Sequence, residues 1–300
     1  MPGIVTVISK KRGTPAGEIA KDVSGVLYRR ESYRQESVDS EGFSLRLLYG
    51  RKDSRGLIDN PAFTCTWWGR PLLNDRILTV SDLENRDFNP DDPAGFLTEL
   101  QGHFQLVFHS KSRQQTVVFA DKISTHPHYY TETDDFIAVS PEAMSLLALK
   151  KYGWNSTLRE GALQEFIANG FLWGDGTYLN EIERLSSGTF VTCSREGTAK
   201  TRYWQMTFSR RSAGKLELME GLNKTVETDI KHLPPGKAIL TLSGGYDSRA
   251  LLGLMKKNGR MFDSISYTFG LPYSDDSDAG VGRYLAHKSG IVQQFQQADL

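Results

Sequence analysis

Residues 238–248 read Ala238-Ile239-Leu240-Thr241-Leu242-Ser243-Gly244-Gly245-Tyr246-Asp247-Ser248. A short run of β-branched and leucine residues enters a glycine turn, and an apolar helical pattern follows through Ala250, Leu251, Leu252, Leu254 and Met255. Strand, glycine turn and helix form the geometry that presents backbone N–H groups and a helix N-terminus to an anion. Gly244 and Gly245 are expected to take positive φ and to let the main chain approach a ligand. Ser243 and Ser248 supply hydroxyl donors, and Asp247 is a carboxylate able to hold Mg²⁺ among phosphate oxygens. The plainer reading is a helix N-cap after a tight turn. Two other phosphate loops are excluded: no lysine follows the glycines as the Walker form requires, and Gly-x-Gly-x-x-Gly is missing.

Outward from this turn, Leu218, Leu222, Val226 and Ile230 share one face of a helix predicted over 215–232, which Pro234-Pro235-Gly236 ends. After the turn come a helix over 248–258, a strand over 264–269, a helix over 278–289 and a strand over 291–295. Strands alternating with helices predict an α/β domain with a doubly wound parallel sheet over 212–300, whose ligand sits beyond the C-terminal strand ends. Residues 1–205 read differently. Strands are predicted at 4–8, 43–49, 63–68, 103–109, 116–120 and 137–139, with a hairpin of 189–193 and 198–204 around Glu196-Gly197. Helices are predicted at 93–100, 142–149 and 163–169, the last stopped by Gly170. This pattern predicts a layered α+β domain.

Lys plus Arg and Asp plus Glu both number 36, so nothing in the charge argues for nucleic acid or an anionic membrane. An apolar fraction of 39% with 11% aromatics is enough for a packed core. Cys65 and Cys193 are the two cysteines; they suit a reducing, cytoplasmic compartment and exclude a disulfide scaffold. The apolar start Ile4–Ile8 is too short for a signal peptide, and its basic residues follow rather than precede it. No run approaches the roughly 20 apolar residues of a membrane span.

The Ser243–Ser248 turn resembles the pyrophosphate loop of the N-type ATP pyrophosphatases, which cleave ATP between its α and β phosphates. The N-terminal region narrows the resemblance. Leu100-Gln-Gly-His-Phe-Gln105 resembles the Leu-x-Gly-x-Phe-Ala of class II glutamine amidotransferase domains, which are Ntn-hydrolase-like. Phe119-Ala-Asp-Lys122 with His126-Pro-His-Tyr-Tyr130 resembles their Ala-Arg-Asp and Lys-Pro-Leu-Tyr-Tyr stretches, and Ala138-Val-Ser-Pro-Glu142 their Ala-Ser-Glu. Gly170 to Gly188, then Tyr203-Trp204, resemble the passage into a synthetase domain, where Thr268-Phe-Gly-Leu-Pro272 resembles an adenosine-contacting strand end. No one N-terminal piece is specific; their order, with the Ser-Gly-Gly loop, is similar to the asparagine synthetase family along nearly the whole chain. The resemblance implies an ATP-dependent, amide-forming ligase with ATP and Mg²⁺. Ser243, Gly244, Gly245 and Ser248 would cradle the β and γ phosphates, Asp247 would hold Mg²⁺, and Leu242 and Phe269 would line the adenosine site.

The departures are as informative. The family's active glutaminase begins Met-Cys-Gly-Ile, exposing a cysteine thiol beside its own α-amine, which glutamine hydrolysis requires. Here the chain begins Met1-Pro2-Gly3-Ile4, so Pro2 occupies the nucleophile position. The family's Asn-Gly-Glu substrate turn falls at Trp68-Gly69-Arg70, which lacks the amide donor and the carboxylate. The domain is therefore expected to be inactive as a glutaminase, as in β-lactam synthetases, whose nitrogen is already in the substrate; some lasso-peptide cyclases share the architecture. Residues 212–300 give three strands where such a sheet has about five, so the synthetase domain is expected to be incomplete, from a fragment or split subunit. Two classes stay open: a ligase using free ammonia or a substrate amine, or a non-catalytic nucleotide-binding or interaction module. A homodimer or a partner chain completing the synthetase domain fits either.

Four features are read as structural. His126 and His128 without a third ligand make a poor metal site, and loop histidines are expected to be solvated. The run Asp275-Asp276-Ser277-Asp278 is expected to cap the helix near 278 and to complement its dipole. Trp67 and Trp68 are expected to pack. Arg249 either reaches a phosphate or points to solvent.

Overall fold

Ile4, Val5, Val7 and Ile8 are all 0–2% exposed, so the first strand is covered on both faces, and the architecture follows from what covers it. The computed structural model describes residues 2–27, 32–51, 53–84, 93–208, 213–233, 236–269 and 274–298. The chain divides into two units, Met1–Thr207 and Phe208–Leu300. In chain order the first begins with β1 (Gly3–Ser9), α1 (Ala16–Val26), β2 (Arg34–Ser40), β3 (Phe43–Tyr49), β4 (Arg55–Asp59), β5 (Phe63–Leu73), β6 (Arg76–Ile77), α2 (Val80–Glu84) and α3 (Pro93–Glu99). It continues with β7 (Leu100–Ser110), β8 (Gln115–Ala120), β9 (Tyr129–Glu132), β10 (Phe136–Ser140), a 3-10 helix (Ala143–Tyr152), α4 (Ala162–Asn169), β11 (Glu183–Arg184), β12 (Thr189–Ser194) and β13 (Gly197–Arg202). The second unit holds α5 (Lys215–Lys231), β14 (Ala238–Thr241), α6 (Tyr246–Lys257), β15 (Phe262–Phe269), α7 (Asp278–Ser289) and β16 (Gln293–Ala298).

Two antiparallel sheets build the first unit, in strand orders β11-β9-β10-β1-β3-β2 and β13-β12-β8-β7-β5-β4, with β6 paired to β5. One core lies between them, where Ile4, Phe43, Leu45 and Leu47 of the first sheet meet Val107, Val118 and Val191 of the second. The outer face of the first sheet is covered by α1 and the 3-10 helix through Ile19, Val23, Leu146 and Leu149. The outer face of the second carries Trp67, Phe104 and Phe119 beneath Leu83 and Phe96 of α2 and α3. Helix, sheet, sheet and helix layers form the layered α+β arrangement expected. Burial on both faces explains the near-continuous apolar strands, which lack the alternation of a one-faced sheet.

Residues 142–149, expected as a helix, lie in the 3-10 helix Ala143–Tyr152, which is tightened by the Ser145 N–H on the Glu142 carbonyl at 3.2 Å and ends at left-handed Gly153. Two expectations change. Trp68-Gly69-Arg70 form no turn: β5 continues through Leu73, pairing Gly69 with Phe104 and Arg70 with His103. Strands β14, β15 and β16 are parallel and lie in sequential order, which contains no reversal of strand order, the feature that defines double winding.

The second unit is more openly built. Ile230, Leu240, Leu252, Met255 and Phe262 form its core. Two like-handed crossovers moving in one direction place both helices on one sheet face, and on the other Ile239 is 67% and Tyr267 56% exposed. The apolar stripe of α5 is covered at its C-terminal end by Ile230 but bare at Leu218 and Leu222. Pro234 and Pro235, read as ending that helix, and Gly270–Pro272 lie outside the described residues.

Candidate functional site

Leu242 anchors the Ser-Gly-Gly turn to the sheet. Its N–H donates to the Ile265 carbonyl at 2.9 Å, its carbonyl accepts from Ser266 Oγ at 2.6 Å, and its side chain is buried in the core. It therefore presents no side-chain surface to a ligand. The turn that follows is braced by its own hydroxyls. Ser248 Oγ accepts from the Ser243 N–H at 3.2 Å and lies 3.0 Å from Ser243 Oγ and from the Ser243 carbonyl. Ser243 Oγ accepts from the Gly245 N–H at 3.1 Å. The two serines expected to face a phosphate thus hold the loop's shape.

The ligand-facing donors are main-chain groups. Helix α6 starts after Gly245, which offers no side-chain cap. The N–H groups of Tyr246, Asp247 and Ser248 have no hydrogen-bond partner among the described residues. These are the orphan donors of a helix N-terminus, and together with the macrodipole they favour an anion. Gly244 and Gly245 do not take positive φ; Gly245 has φ −68° and ψ 155°. Space at Gly244 is tight: a Cβ there would stand 2.9 Å from Asp278 Oδ1 and 3.2 Å from Val281 Cβ.

Asp278 belongs to the run expected to cap α7. It opens α7, whose N-terminus packs against the turn; a Cβ on Gly282 would come within 2.7 Å of the Leu242 carbonyl oxygen. The cap of α7 is Ser277, within the run expected to cap it: its Oγ accepts from the Gly280 N–H at 3.1 Å, and Asp278 stands in the first turn. Asp247 lies in the first turn of α6, exposed and without an ion-pair partner among the described residues. Arg249 packs over the Tyr246 ring at 4.5 Å and points its Nε to the Gly245 carbonyl at 3.3 Å. Phe269 closes β15, and its side chain lies outside the described part of the structure.

In the first unit, the corresponding place around Pro2 is closed on itself. Gln105 is fully buried; its Oε1 accepts from the Ile4 N–H at 3.0 Å and its Nε2 donates to the Pro127 carbonyl at 2.8 Å. Gly69, at φ +102°, lets β5 pass 2.4 Å, in terms of a Cβ, from the His103 carbonyl oxygen. Trp68 Nε1 donates to Asp53 Oδ2 at 2.9 Å and its ring meets His126 edge-on at 4.5 Å. Asp121 accepts from the N–H groups of Phe104, Ile123 and Thr125. Burial pushes the thiols of Cys65 and Cys193 up to about 12, so neither supplies a thiolate nucleophile.

The histidines correct another expectation. His128 is fully buried rather than solvated, and burial lowers it to about 3; burial also lowers His126. Among the described residues no group of three His, Cys, Asp or Glu side chains is placed to hold a metal. Trp67 is core, 1% exposed.

Residues 93–204 match a family model, the glutamine amidotransferase domain. This match lies wholly within the first unit, which therefore carries a glutamine amidotransferase-like domain. No curated protein matches the chain. Among solved structures, the glutamine phosphoribosylpyrophosphate amidotransferase from B. subtilis, complexed with ADP and GMP, is similar over 98% of this chain and 65% of its own, at 8% identity and a TM-score of 0.45. This chain thus spans less than two thirds of that protein. A structure of the allosteric regulatory enzyme of purine biosynthesis is similar over 99% of this chain and 80% of its own, at 8% identity and a TM-score of 0.47. No helix among the described residues is long and apolar enough to cross a membrane.

Proposed function

We propose that the chain is an asparagine-synthetase-like, ATP-dependent carbon–nitrogen ligase without a glutaminase of its own. The observation that carries this reading is the uncapped first turn of α6, whose free N–H groups follow a Ser-Gly-Gly turn at a strand end. The amidotransferase-like first unit supports it, since an amide-transfer domain joined to a nucleotide loop is the arrangement of such ligases.

In this reading the N–H groups of Tyr246, Asp247 and Ser248 hold the β and γ phosphates of ATP, and Ser243 and Ser248 keep the turn in shape. Gly244 and Gly245 leave the approach free of side chains. Asp247 is the carboxylate for Mg²⁺; a magnesium site of one or two carboxylates completed by phosphate oxygens needs no larger protein cage. A bound Mg²⁺, which Asp247 would hold, would supply charge neutralisation for the reacting phosphates. Leu242 fixes the loop to the sheet and Phe269 bounds the adenosine side. A substrate carboxylate attacks the α phosphate, pyrophosphate leaves, and a nitrogen nucleophile then displaces AMP. The nitrogen comes from free ammonia or a substrate amine, because Pro2 stands at the nucleophile position and both thiols are buried.

The second reading is a non-catalytic nucleotide-binding module, favoured because no group of three His, Cys, Asp or Glu side chains is placed to hold a metal among the described residues. One assay separates them: pyrophosphate release from ATP and Mg²⁺, with aspartate, with and without ammonia. The ligase reading expects Mg²⁺-dependent release that Asp247→Ala abolishes while circular dichroism stays unchanged, and no glutamate released from glutamine. ATP binding without release leaves the binding module, and no ATP binding overturns both.

A further inference from the structure

Lys122, Arg184 and Arg202 are three cations of the first unit that have no ion-pair or hydrogen-bond partner for their side chains among the described residues. Lys200, on the same strand as Arg202, is by contrast paired with Glu183. The three unpaired ones come from different strand ends, after β8, in β11 and in β13, and line one cavity of about 430 Å³. Its one carboxylate, Asp175, is engaged by the Ser186 hydroxyl. Three like charges around one concavity repel one another, and an anion placed among them removes that cost.

The walls are fixed before any ligand arrives. Gly188 sits at φ +59°, where a Cβ would lie 2.3 Å from the Trp204 carbonyl oxygen. The N–H groups of Tyr203 and Trp204 both donate to the Gly188 carbonyl, at 2.9 and 3.1 Å. Tyr203 Oη donates to the Ala120 carbonyl at 2.7 Å, and Ser124 Oγ to the Leu185 carbonyl at 3.2 Å. This bracing ties the Trp204 wall to the loop that follows Arg184. Ile123, Trp204 and Met206 also line the cavity and give it apolar surface. A preformed cavity of this size with a few convergent polar groups is the form small-molecule sites take.

We propose that this cavity binds a small organic dianion, with its phosphate or paired carboxylates on Lys122, Arg184 and Arg202 and its apolar body against Trp204. Guanidinium forks match both head groups, so the chemistry is shared and the source is decided by experiment. No residue of the Ser243–Ser248 turn takes part.

The test titrates the full 300-residue chain with phenyl phosphate, phthalate and inorganic phosphate, followed by calorimetry and by tryptophan fluorescence. We expect phenyl phosphate or phthalate to bind at least tenfold more tightly than inorganic phosphate, with affinity falling as salt rises; the tighter of the two names the head group. Lys122→Gln and Arg184→Gln each lower that affinity by roughly tenfold, as loss of a charge-assisted hydrogen bond does. Arg202→Gln, at an exposed strand end, gives the same loss in a variant that keeps the fold. Lys200→Gln and Asp247→Ala leave binding unchanged. Absence of binding by every probe overturns the proposal. So does binding that survives all three cavity variants, or binding that is lost with Asp247→Ala.

Discussion

In the first unit, Asp121 takes the N–H groups of Phe104, Ile123 and Thr125, and Gln105 engages both ends of its amide with Ile4 and Pro127. In the second, three N–H groups at the start of α6 meet no acceptor, although α7 close beside them is capped by Ser277. The packing differs in the same sense. Trp67, Phe43 and Phe104 are buried to within 1% of complete, whereas Ile239 and Leu222 are 67% and 65% exposed. Asp121 and Gln105 are satisfied within the first unit, whereas the second leaves the N-terminus of α6 open. Unsatisfied donors beside glycine are what a binding site requires and a scaffold avoids.

The sharpest way to break this comparison is Trp67→Ala. Its side chain fills the layer under α2 and α3, and it should destabilise the first unit by about 3–5 kcal/mol. All five tryptophans lie in the first unit, so denaturant unfolding followed by their fluorescence reads that unit alone. An unchanged midpoint would mean that the core does not carry the unit.

Acid should strike the first unit next. Burial lowers His109 to about 4 and His128 to about 3, below the 6.5 of a free imidazole, so the unfolded chain takes up protons first as pH falls. Stability present above pH 6.5 is therefore lost between pH 6.5 and those lower values, on the order of 2 kcal/mol per histidine by pH 5. Thermal unfolding at pH 7 and pH 5 measures it, and His128→Phe should flatten the dependence.

Two smaller effects sharpen the contrast between the helix ends. Ser277→Ala removes a cap in use and should cost the second unit about 1 kcal/mol, read by circular dichroism. Gly245→Asp adds the cap that α6 lacks; it should change stability by only a few tenths of a kcal/mol while abolishing ATP binding in the calorimeter. If binding survives, the open N-terminus is not the phosphate site.

The turn itself was legible in the sequence because its chemistry is local: a strand, two glycines and two serines within eleven residues of chain. The crowding at Gly244 was not, since it comes from Asp278 and Val281, brought back by the β15 crossover. Strand β2 was unreadable for a related reason. Its sequence, Arg-Gln-Glu-Ser-Val-Asp-Ser, buries only Val38, and it exists because β3 offers an edge to pair with. Helix α1 does carry a readable stripe, Ala16, Ile19, Ala20 and Val23, which Gly17 and Gly25 interrupt as helix breakers. The burial of His128 also depends on a distant partner, since Leu185 closes over the loop through its N–H on the His128 carbonyl at 2.8 Å.

The deep burial of Cys65 and Cys193 has a practical consequence. With both thiols held near 12 and out of solvent, the folded protein is silent towards maleimides and iodoacetamides. One cysteine placed at Tyr246, 84% exposed beside the open helix end, would be the lone reactive handle, and a dye attached there would report occupancy of the turn as a change in colour or brightness.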